Sequence, residues 1–231
     1  MKIVVLTGAG ISAESGIKTF RDADGLWEGH DVMKVATPQG WRKNPKLVSQ
    51  FYNARRAQLR EVKPNAAHLA LADLDAYHEV VVITQNVDNL HEKAGSKNVL
   101  HLHGELAKVR STGPGAEVFD HEDDCNIGDL CPKGHQLRPH VVWFGEEVPM
   151  LGPAAQHVSD ADMVLIVGTS MQVYPAAGLV GYAPPHAPII YIDPRPTINY
   201  ELDTRRNLTV VEDLATVGVP QVVAELKQRE N

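Results

Sequence analysis

The chain has 231 residues, of which 43% are hydrophobic, and a formal net charge of −7, values that fit one globular domain. The acidic balance argues against a nucleic-acid partner, which needs clustered lysines and arginines, and no apolar run approaches the ~18 residues of a membrane-spanning helix. Two cysteines are too few for a disulfide framework and the sequence shows no signal peptide, so we expect a cytoplasmic protein without membrane contact.

Six short runs rich in β-branched residues predict strands, and helical stretches lie between several of them. Several runs are continuously apolar, which is typical of parallel strands covered by helices on both faces. The predicted strands are residues 3–6, 80–83, 99–102, 164–167, 189–192 and 208–211. The predicted helices are residues 45–60, 64–76, 150–160, 175–181 and 221–227. This alternation predicts an α/β fold, a Rossmann-like parallel sheet with helices on both faces.

Two segments interrupt this alternation. Residues 26–63 hold helical material but no clear strand, and residues 105–149 are rich in glycine, proline and acidic residues with weak periodicity. We interpret both as insertions that build a smaller lobe within a single domain, residues 1–231. A cleft between two lobes is a usual place for a ligand. The larger, Rossmann-like lobe then consists of residues 1–25, 64–104 and 150–231.

The first predicted strand runs into a glycine-rich loop. Residues 8–13 fit the pattern G-x-G-x-x-A, with Gly8 and Gly10 as its two glycines, between a predicted strand and a helix start. Glycine permits a tight turn and a close approach of the backbone to a pyrophosphate, whose charge a helix N-terminus favours. The loop therefore predicts dinucleotide binding; the alternative is a glycine-rich turn without a ligand.

The segment after this loop differs from that of a dehydrogenase. A dehydrogenase fold has a second strand that ends in an acidic residue about 20 positions later. Residues 19–27 here form a polar, glycine-containing stretch instead, although Asp22 and Asp24 are present. We interpret this stretch as a lid over the bound cofactor, with Phe20 and Arg21 at its tip.

Polar side chains follow the second and third predicted strands. Gln85, Asn86 and Asp88 come after the second strand, and His103 follows the third. Because ligands in an open α/β sheet lie beyond the carboxyl ends of the strands, the first three are placed to bind a ribose or a carboxamide. A histidine at this edge is suited to act as a general base near neutral pH. The alternative for His103 is a structural histidine, the role expected of His101.

Six motifs, in this order along the chain, resemble those of the sirtuins. The resemblance runs from about residue 2 to residue 215, and it is strongest to bacterial sirtuins of the class that removes acidic acyl groups. The motifs are Gly8-Ala9-Gly10-Ile11-Ser12, Thr19-Phe20-Arg21, Gln85-Asn86-Val87-Asp88, His103-Gly104-Glu105, Val142-Trp143-Phe144-Gly145-Glu146 and Gly168-Thr169-Ser170.

This resemblance implies an NAD-dependent deacylase that acts on acylated lysines of proteins. In the family, the acyl oxygen of the lysine attacks the nicotinamide ribose, nicotinamide leaves and an alkylamidate forms. A histidine, here His103, then acts as base on a ribose hydroxyl, which attacks the imidate carbon. The implied products are free lysine, nicotinamide and 2′-O-acyl-ADP-ribose, so NAD is a co-substrate that the reaction consumes.

The same resemblance implies roles for individual residues. Asn86 is catalytic together with His103 and lines the nicotinamide pocket with Asp88, whereas Gln85 holds the ribose. Phe20 shields the reacting ribose carbon from water. The other implied cofactor-binding residues are Gly8, Ala9, Gly10, Ser12, Ala13, Glu14, Thr19, Arg21, Trp27, Gly168, Thr169, Ser170, Asp193 and Ala215, of which Asp193 stands where the family often has asparagine.

The extended run from residue 142 to residue 146 is implied to pair with the substrate backbone by strand addition. Trp143 within this run is expected in the core. The implied substrate-binding residues are Val142, Phe144, Gly145 and Glu146.

Tyr52 and Arg55 lie three residues apart in the predicted helix 45–60, so they share one face. They match a Tyr-x-x-Arg pair that, in the acidic-acyl class, holds the distal carboxylate of succinyl- or malonyl-lysine. Arginine offers a planar fork to a carboxylate, and tyrosine adds a hydroxyl donor. We therefore predict removal of succinyl or malonyl groups as well as acetyl groups. The alternative is a solvated helix face, the role expected of Arg56 and Arg60.

The structural zinc site of the family is incomplete in this sequence. Most sirtuins carry two C-x-x-C pairs, whose four thiolates bind Zn²⁺. Here Ser111 stands where a cysteine of the first pair is expected, and only Cys131 remains of the second. We expect that the lobe is held without the metal. The alternative is a substitute site built from His121, Cys125, Cys131 and His135, whose side-chain types suit zinc.

Two other functions stay open on the sequence alone: an NAD-dependent dehydrogenase and a catalytically silent dinucleotide-binding module. A dehydrogenase would need the acidic strand end, which this sequence lacks, and that function leaves Tyr52 and Arg55 unexplained. A silent module fits the damaged zinc site but not the intact catalytic set.

Overall fold

The computed structural model describes residues 1–18 and 26–228 of the chain. Within these ranges the strands are β1 (Lys2–Thr7), β2 (Leu26–Trp27), β3 (His30–Asp31), β4 (Glu79–Thr84), β5 (Val99–His101), β6 (Gly104–Ser111), β7 (Val118–Asp120), β8 (Leu137–Val141), β9 (Met163–Val167), β10 (Ile189–Ile192) and β11 (Leu208–Val211). The helices are α1 (Ala9–Ala13), α2 (Val32–Val35), α3 (Pro38–Lys43), α4 (Pro45–Glu61), α5 (Ala66–Leu74), α6 (Leu90–Ala94), α7 (Leu151–Ser159), α8 (Tyr200–Asp203) and α9 (Ala215–Gln228), with a 3₁₀ helix at Ala176–Tyr182.

Six strands form one parallel sheet in the order β11-β10-β9-β1-β4-β5. Side chains of the central strand β1 alternate between two cores. Val4 and Leu6 pack with α7 and the 3₁₀ helix, whereas Ile3 and Val5 pack with α5 and α9. Both faces of the inner strands β1, β4, β9 and β10 are largely buried, which explains their apolar runs, and the predicted Rossmann-like fold with helices on both faces is confirmed.

The strand order reverses its direction of growth beside β1. The strands β4 and β5 are added on one side of β1, and β9, β10 and β11 on the other. At such a switch point the chain leaves the two neighbouring strands toward opposite faces of the sheet, and ligands bind there, beyond the carboxyl ends. The loops after β1 and β9 therefore mark the place for a ligand.

The remaining strands lie outside this sheet. β2 and β3 form a small hairpin, and β7, β6 and β8 form an antiparallel sheet. The expectation that residues 26–63 hold no strand is wrong, but two-residue strands are too short to show an alternating pattern. A hydrophobic cluster joins α4 to this region through Phe51, Tyr52, Leu106 and Trp143. The division of the chain into two lobes stays a prediction.

Helix positions differ from the sequence prediction in two places. α9 begins at Ala215, six residues before the predicted start, and continues through Pro220. Residues 175–181 were expected as an ordinary helix, whereas Ala176–Tyr182 is a 3₁₀ helix. Among the described residues, no helix combines the length and apolar character that crossing a membrane requires.

Arg56 contradicts the expectation that it lies on a solvated helix face. Its side chain is buried, with the residue only 2% exposed. Nε donates to the carbonyl oxygen of Leu106 at 2.7 Å, and Nη1 donates to Asn53 Oδ1 at 2.9 Å. Arg56 therefore fastens α4 to β6, whereas Arg60 is exposed as predicted.

Candidate functional site

A cavity of about 490 Å³ lies at the carboxyl ends of β1, β4, β9 and β10. Most of the predicted site residues line it. They are Gly8, Ala9, Gly10, Ala13, Glu14, Trp27, Tyr52, Gln85, Asn86, Asp88, His103, Val142, Phe144, Gly145, Glu146, Gly168, Thr169, Ser170, Asp193 and Ala215. Ser12 and Arg55 are not among the lining residues, and Thr19, Phe20 and Arg21 lie outside the described residues.

The glycines of the first loop are explained by their contact with the loop after β9. The N–H of Gly8 donates to the carbonyl oxygen of Val167 at 3.1 Å, and that of Gly10 donates to Gly168 at 2.8 Å. A Cβ atom built on Gly10 would lie 2.7 Å from Gly168 Cα. Gly168 itself has φ 59°, which a side chain disfavours. Close packing of two loops thus requires these glycines, independently of a bound pyrophosphate.

Ser12 lies behind the cavity wall, where it supports two residues that do line it. It is fully buried, and its hydroxyl donates to Asp88 Oδ2 at 3.0 Å. Asn86 Nδ2 donates to Ser12 Oγ at 3.2 Å and to the carbonyl oxygen of Gly8 at 3.1 Å. Burial raises the pKa of Asp88. Ser12 orients Asn86 and Asp88, and its contact with the cofactor stays a prediction.

Two buried histidines behind this network were not found by sequence reasoning. His68 Nε2 lies 3.4 Å from Ser12 Oγ, and His91 Nε2 lies 3.1 Å from Thr7 Oγ1. Burial lowers the pKa of His68 to about 4 and that of His91 to about 3, so both are neutral at pH 7. His68 also completes a capping box with Asn65 at the start of α5.

His103 is held in the tautomer that a general base needs. Its Nδ1 lies 2.9 Å from the carbonyl oxygen of Gln85. A carbonyl only accepts, so Nδ1 carries the proton and Nε2 keeps its lone pair. Burial lowers the pKa of His103, which keeps the ring neutral at pH 7. Gln85 also donates from Nε2 to Thr169 Oγ1 at 2.9 Å, which links the loops after β4 and β9.

Residues 142–146 form the opposite wall, and Glu146 holds this segment in place. Its Oε2 accepts from Arg110, from Arg138 and from the N–H of Trp143, each at 2.9 Å. The guanidinium of Arg138 also lies 3.7 Å from the centre of the Trp143 ring. The carboxylate of Glu146 is thus paired within the protein, and its ion pairs hold residues 142–146 in place.

Trp143 is buried as expected, and its indole N–H donates to the hydroxyl of Tyr52 at 3.0 Å. Tyr52 is fully buried, and burial raises its pKa, so the hydroxyl stays protonated. Because the hydroxyl oxygen accepts from Trp143, its own proton is left to donate elsewhere.

Arg55 lines a second cavity, of about 40 Å³, rather than the larger one. Its Nε and Nη1 atoms are buried, and no residue within the ranges 1–18 and 26–228 accepts a hydrogen bond from them. Glu28 lines the same small cavity, and the two cavities share the wall residues Ile17, Trp27, Val87 and Asp88. The predicted Tyr52–Arg55 pair therefore faces two adjoining cavities.

Two lining residues beside Asp193 and Ala215 were missed by sequence reasoning: Arg195 and Leu214. Each follows the end of a strand, β10 or β11, so the criterion applied to Gln85 would have found both. The N–H of Arg195 donates to Asp193 Oδ1 at 2.8 Å, which shapes this end of the cavity.

The residues at the family's zinc positions do not fit a structural zinc. Ser111 Oγ donates to Cys131 Sγ at 3.4 Å, and Cys125 is buried in a small apolar cluster. In the part of the chain that the structure describes, no group of three or more His, Cys, Asp or Glu side chains is arranged to hold a metal ion. The substitute site that combines His121 and His135 with the two cysteines is therefore not assembled.

Residues 8–175 match the Sir2 family. A protein named NAD-dependent protein deacylase from Bacteroides thetaiotaomicron is 51% identical over 232 residues, which cover 98% of this chain and 96% of the relative. A protein of the same name from Helicobacter pylori is 60% identical over 193 residues, 84% of each chain.

Solved structures show the same similarity in three dimensions. A Sir2 homologue in complex with NAD has a TM-score of 0.88 and 39% identity and covers 100% of this chain and 91% of that one. A mutant of a Sir2 homologue bound to ADP-ribose has a TM-score of 0.89, with 39% identity, 99% of this chain covered and 93% of that one.

Proposed function

Because the chain belongs to the Sir2 family and is an NAD-dependent protein deacylase, we propose that it removes succinyl or malonyl groups as well as acetyl groups from protein lysines. Its substrates are proteins, and NAD is the co-substrate. The large cavity fits that dinucleotide, since glycine-rich loops and polar side chains meet at the carboxyl ends of the strands, where such ligands bind.

The observation that carries the acidic-acyl proposal is the state of Arg55. Its guanidinium is half-buried, yet Nε and Nη1 find no acceptor among the described residues. A buried charged donor without a partner is costly, and a carboxylate is the acceptor that matches its planar fork. The distal carboxylate of a succinyl or malonyl group, entering past Asp88 from the larger cavity, is our proposed partner.

Tyr52 complements Arg55 in this proposal. Its hydroxyl accepts from Trp143, so its proton is available to the acyl group. Tyr52 lines the larger cavity and Arg55 the smaller one, and an acidic acyl chain that extends from one into the other meets both. An acetyl group is too short to need the second cavity, which leaves acetyl removal independent of Arg55.

For the other site residues, the proposed role depends on the part of the large cavity that each residue lines. His103, with Nε2 free to accept a proton, is the general base toward a ribose hydroxyl. Asn86 and Asp88 bind the nicotinamide end of NAD. Gln85 binds the ribose, with Trp27 lining the same cavity. Bound NAD supplies an activated ribose carbon from which nicotinamide leaves. The phosphates and adenosine are assigned to Gly8, Ala9, Gly10, Ala13, Glu14, Gly168, Thr169, Ser170, Asp193 and Ala215.

The substrate backbone is proposed to bind along Val142, Phe144, Gly145 and Glu146. The N–H of Val142 donates to His103 at 2.9 Å, and that of Phe144 donates to Ala36 at 3.0 Å. Strand addition at this edge therefore relies on carbonyl groups and on the N–H of Gly145.

Arg55→Met tests the acidic-acyl proposal. With succinyl-lysine peptides, kcat/KM is expected to fall by at least ~10-fold because one buried charge-assisted contact is lost, while acetyl-lysine turnover changes little. The matched control is Arg60→Met, which removes an exposed arginine of the same helix and should leave both rates unchanged. Mass spectrometry of the products distinguishes 2′-O-succinyl- from 2′-O-acetyl-ADP-ribose. Succinyl turnover that survives while acetyl turnover falls would sink the proposal.

A further inference from the structure

Two histidines at the end of one strand hold two consecutive carbonyl groups of the site. His103 Nδ1 lies 2.9 Å from the carbonyl oxygen of Gln85, and His101 Nδ1 lies 3.0 Å from that of Asn86. His101 and His103 are two residues apart, so their side chains leave the backbone on the same side. His103 is the proposed base, whereas no step of the proposed reaction uses His101.

Both ring nitrogens of His101 face hydrogen-bond acceptors. Its second nitrogen, Nε2, lies 2.7 Å from Glu92 Oε1. A backbone carbonyl and an ionised carboxylate both accept hydrogen bonds and donate none, so each ring nitrogen must carry a proton. The side chain of His101 is only 6% exposed, and Glu92 is its counter-ion. These partners favour a charged imidazolium at His101, in contrast to the neutral His103.

The surroundings of His101 favour this charge. Burial by itself would lower the pKa of His101, but the hydrogen bond and charge of Glu92, the Asn86 carbonyl and the charge of Glu105 outweigh it and raise the pKa. Burial lowers the pKa values of His91 and His140, which are therefore neutral neighbours at pH 7. The titratable groups that face His101 are Glu92 and His91 of α6, Asp88 of the preceding loop, Glu105 of β6 and His140 of β8.

The bond from His101 completes the fixation of Asn86. The N–H of Asn86 donates to Thr84 Oγ1 at 3.0 Å, and its side-chain nitrogen donates to Gly8 and Ser12. Because His101 holds the carbonyl group, the side-chain oxygen is the polar atom of Asn86 that stays available to a ligand. Asn86 lines the large cavity.

We propose that His101, as an imidazolium paired with Glu92, is a positioning residue for the NAD-dependent reaction, because it holds Asn86 in the orientation that receives NAD. His101 itself touches neither the cavity nor any reacting atom. Its protonated form is present below its raised pKa in the folded protein and is lost as pH rises through that value. Loss of the proton frees one of the two acceptors, Asn86 or Glu92, and loosens the nicotinamide side of the site.

The test measures KM for NAD and kcat against pH, with a saturating acetyl-lysine peptide. For the wild type we expect KM for NAD to rise on the alkaline side, with a smaller change in kcat. Glu92→Gln removes the counter-ion and is expected to move this rise about one pH unit lower. His101→Gln cannot carry the charge and is expected to show a KM for NAD raised about 5- to 10-fold and independent of pH in this range. The matched control, Glu79→Gln, removes an exposed carboxylate at the start of β4 and should leave the profile unchanged.

A direct readout does not depend on turnover. In the ¹⁵N-histidine NMR spectrum of the wild-type protein, His101 should show both ring N–H groups at pH 7, whereas His103 should show one. A neutral His101 at pH 7 would overturn the inference, as would a Glu92→Gln profile identical to that of the wild type. If His101→Gln fails to fold, the spectrum and the Glu92 variant still decide.

Discussion

Two adjacent arginines of α4 show how burial divides roles between like residues. Arg56 is held by Leu106 and Asn53 and fastens the helix to β6. Arg55, next to it, lines a small cavity, where its Nε and Nη1 have no acceptor in the part of the chain that the structure describes. Nη2 of Arg56 also has no acceptor among the described residues, but only Arg55 lines a cavity, so the charge that is accessible to a ligand belongs to Arg55.

Trp143→Phe is predicted to weaken the succinyl-lysine reaction more than the acetyl-lysine reaction. The change keeps an aromatic ring but removes the donor to Tyr52, so the tyrosine hydroxyl can turn away from the acyl group. One lost hydrogen bond corresponds to about 3- to 10-fold in KM for a succinyl peptide. Trp41→Phe is the control, because Trp41 packs 5.8 Å from Trp143 in the same cluster.

A double-mutant cycle separates this effect from loss of packing. If Trp143 acts through Tyr52, the variant Tyr52→Phe combined with Trp143→Phe should have the succinyl KM of Tyr52→Phe alone. Additive effects of the two changes would contradict the prediction. A wild-type succinyl KM for Tyr52→Phe would instead contradict the proposed acyl pocket.

The state of His103 predicts the acid limb of the reaction. Burial lowers the pKa of His103, so the neutral base persists below pH 6.5. The fall of kcat/KM on acidification is therefore expected below pH 6.5, measured with an acetyl-lysine peptide at saturating NAD. An acid limb centred above pH 7 would show that another group controls this step.

At the scale of elements, the segment after β8 is braced by two strands of the antiparallel sheet. Arg110 of β6 and Arg138 of β8 both donate to Glu146, which in turn accepts the N–H of Trp143. The peptide-binding segment proposed here therefore depends on ion pairs rather than on a regular strand.

Glu146→Gln is predicted to raise KM for the peptide about 10-fold while KM for NAD changes little, because the unpaired arginines no longer hold the segment. The free energy of unfolding should fall by about 1–3 kcal/mol, less than for a fully buried ion pair since Glu146 is partly exposed. Urea unfolding and peptide kinetics measure the two effects. Glu147→Gln, an exposed neighbour, is the control.

Element positions could be predicted where periodicity is long, and not where it is short. The parallel strands could be predicted from their apolar runs, and α4 could be predicted from the length of its helical segment. β2 and β3 span two residues each, which leaves no pattern to detect. α9 was placed too late because Pro220 resembles a helix start, whereas here it lies inside the helix.

At the scale of the whole molecule, the order of the strands brings the residues of the site together. Residues as distant in the sequence as Gly8, His103 and Gly168 line one cavity because each follows the carboxyl end of a strand of the same parallel sheet. The sequence motifs predicted which residues meet, but not which of them face the cavity. Ser12 is buried behind the wall and Arg55 lies in a side cavity, since both placements depend on packing between distant segments.

The buried histidines His68 and His91 predict a destabilisation on acidification. Their pKa values, about 4 and about 3, are lower than in the unfolded chain, so between pH 7 and pH 5 only the unfolded state takes up protons and stability falls. His91→Gln is expected to reduce the loss of unfolding free energy over this interval by about 2 kcal/mol, measured by urea unfolding at both pH values. An unchanged loss in this variant would contradict the assignment.

The three tryptophans of the chain, Trp27, Trp41 and Trp143, belong to one hydrophobic cluster beside Tyr52. Intrinsic fluorescence of the protein therefore reports on a single region, the side of the cavity where we place the acyl group. The guanidinium of Arg138 over the Trp143 ring makes that emission sensitive to small shifts of the 142–146 segment. Peptide binding can thus be followed by the intrinsic tryptophan fluorescence of the protein, without a label and without turnover.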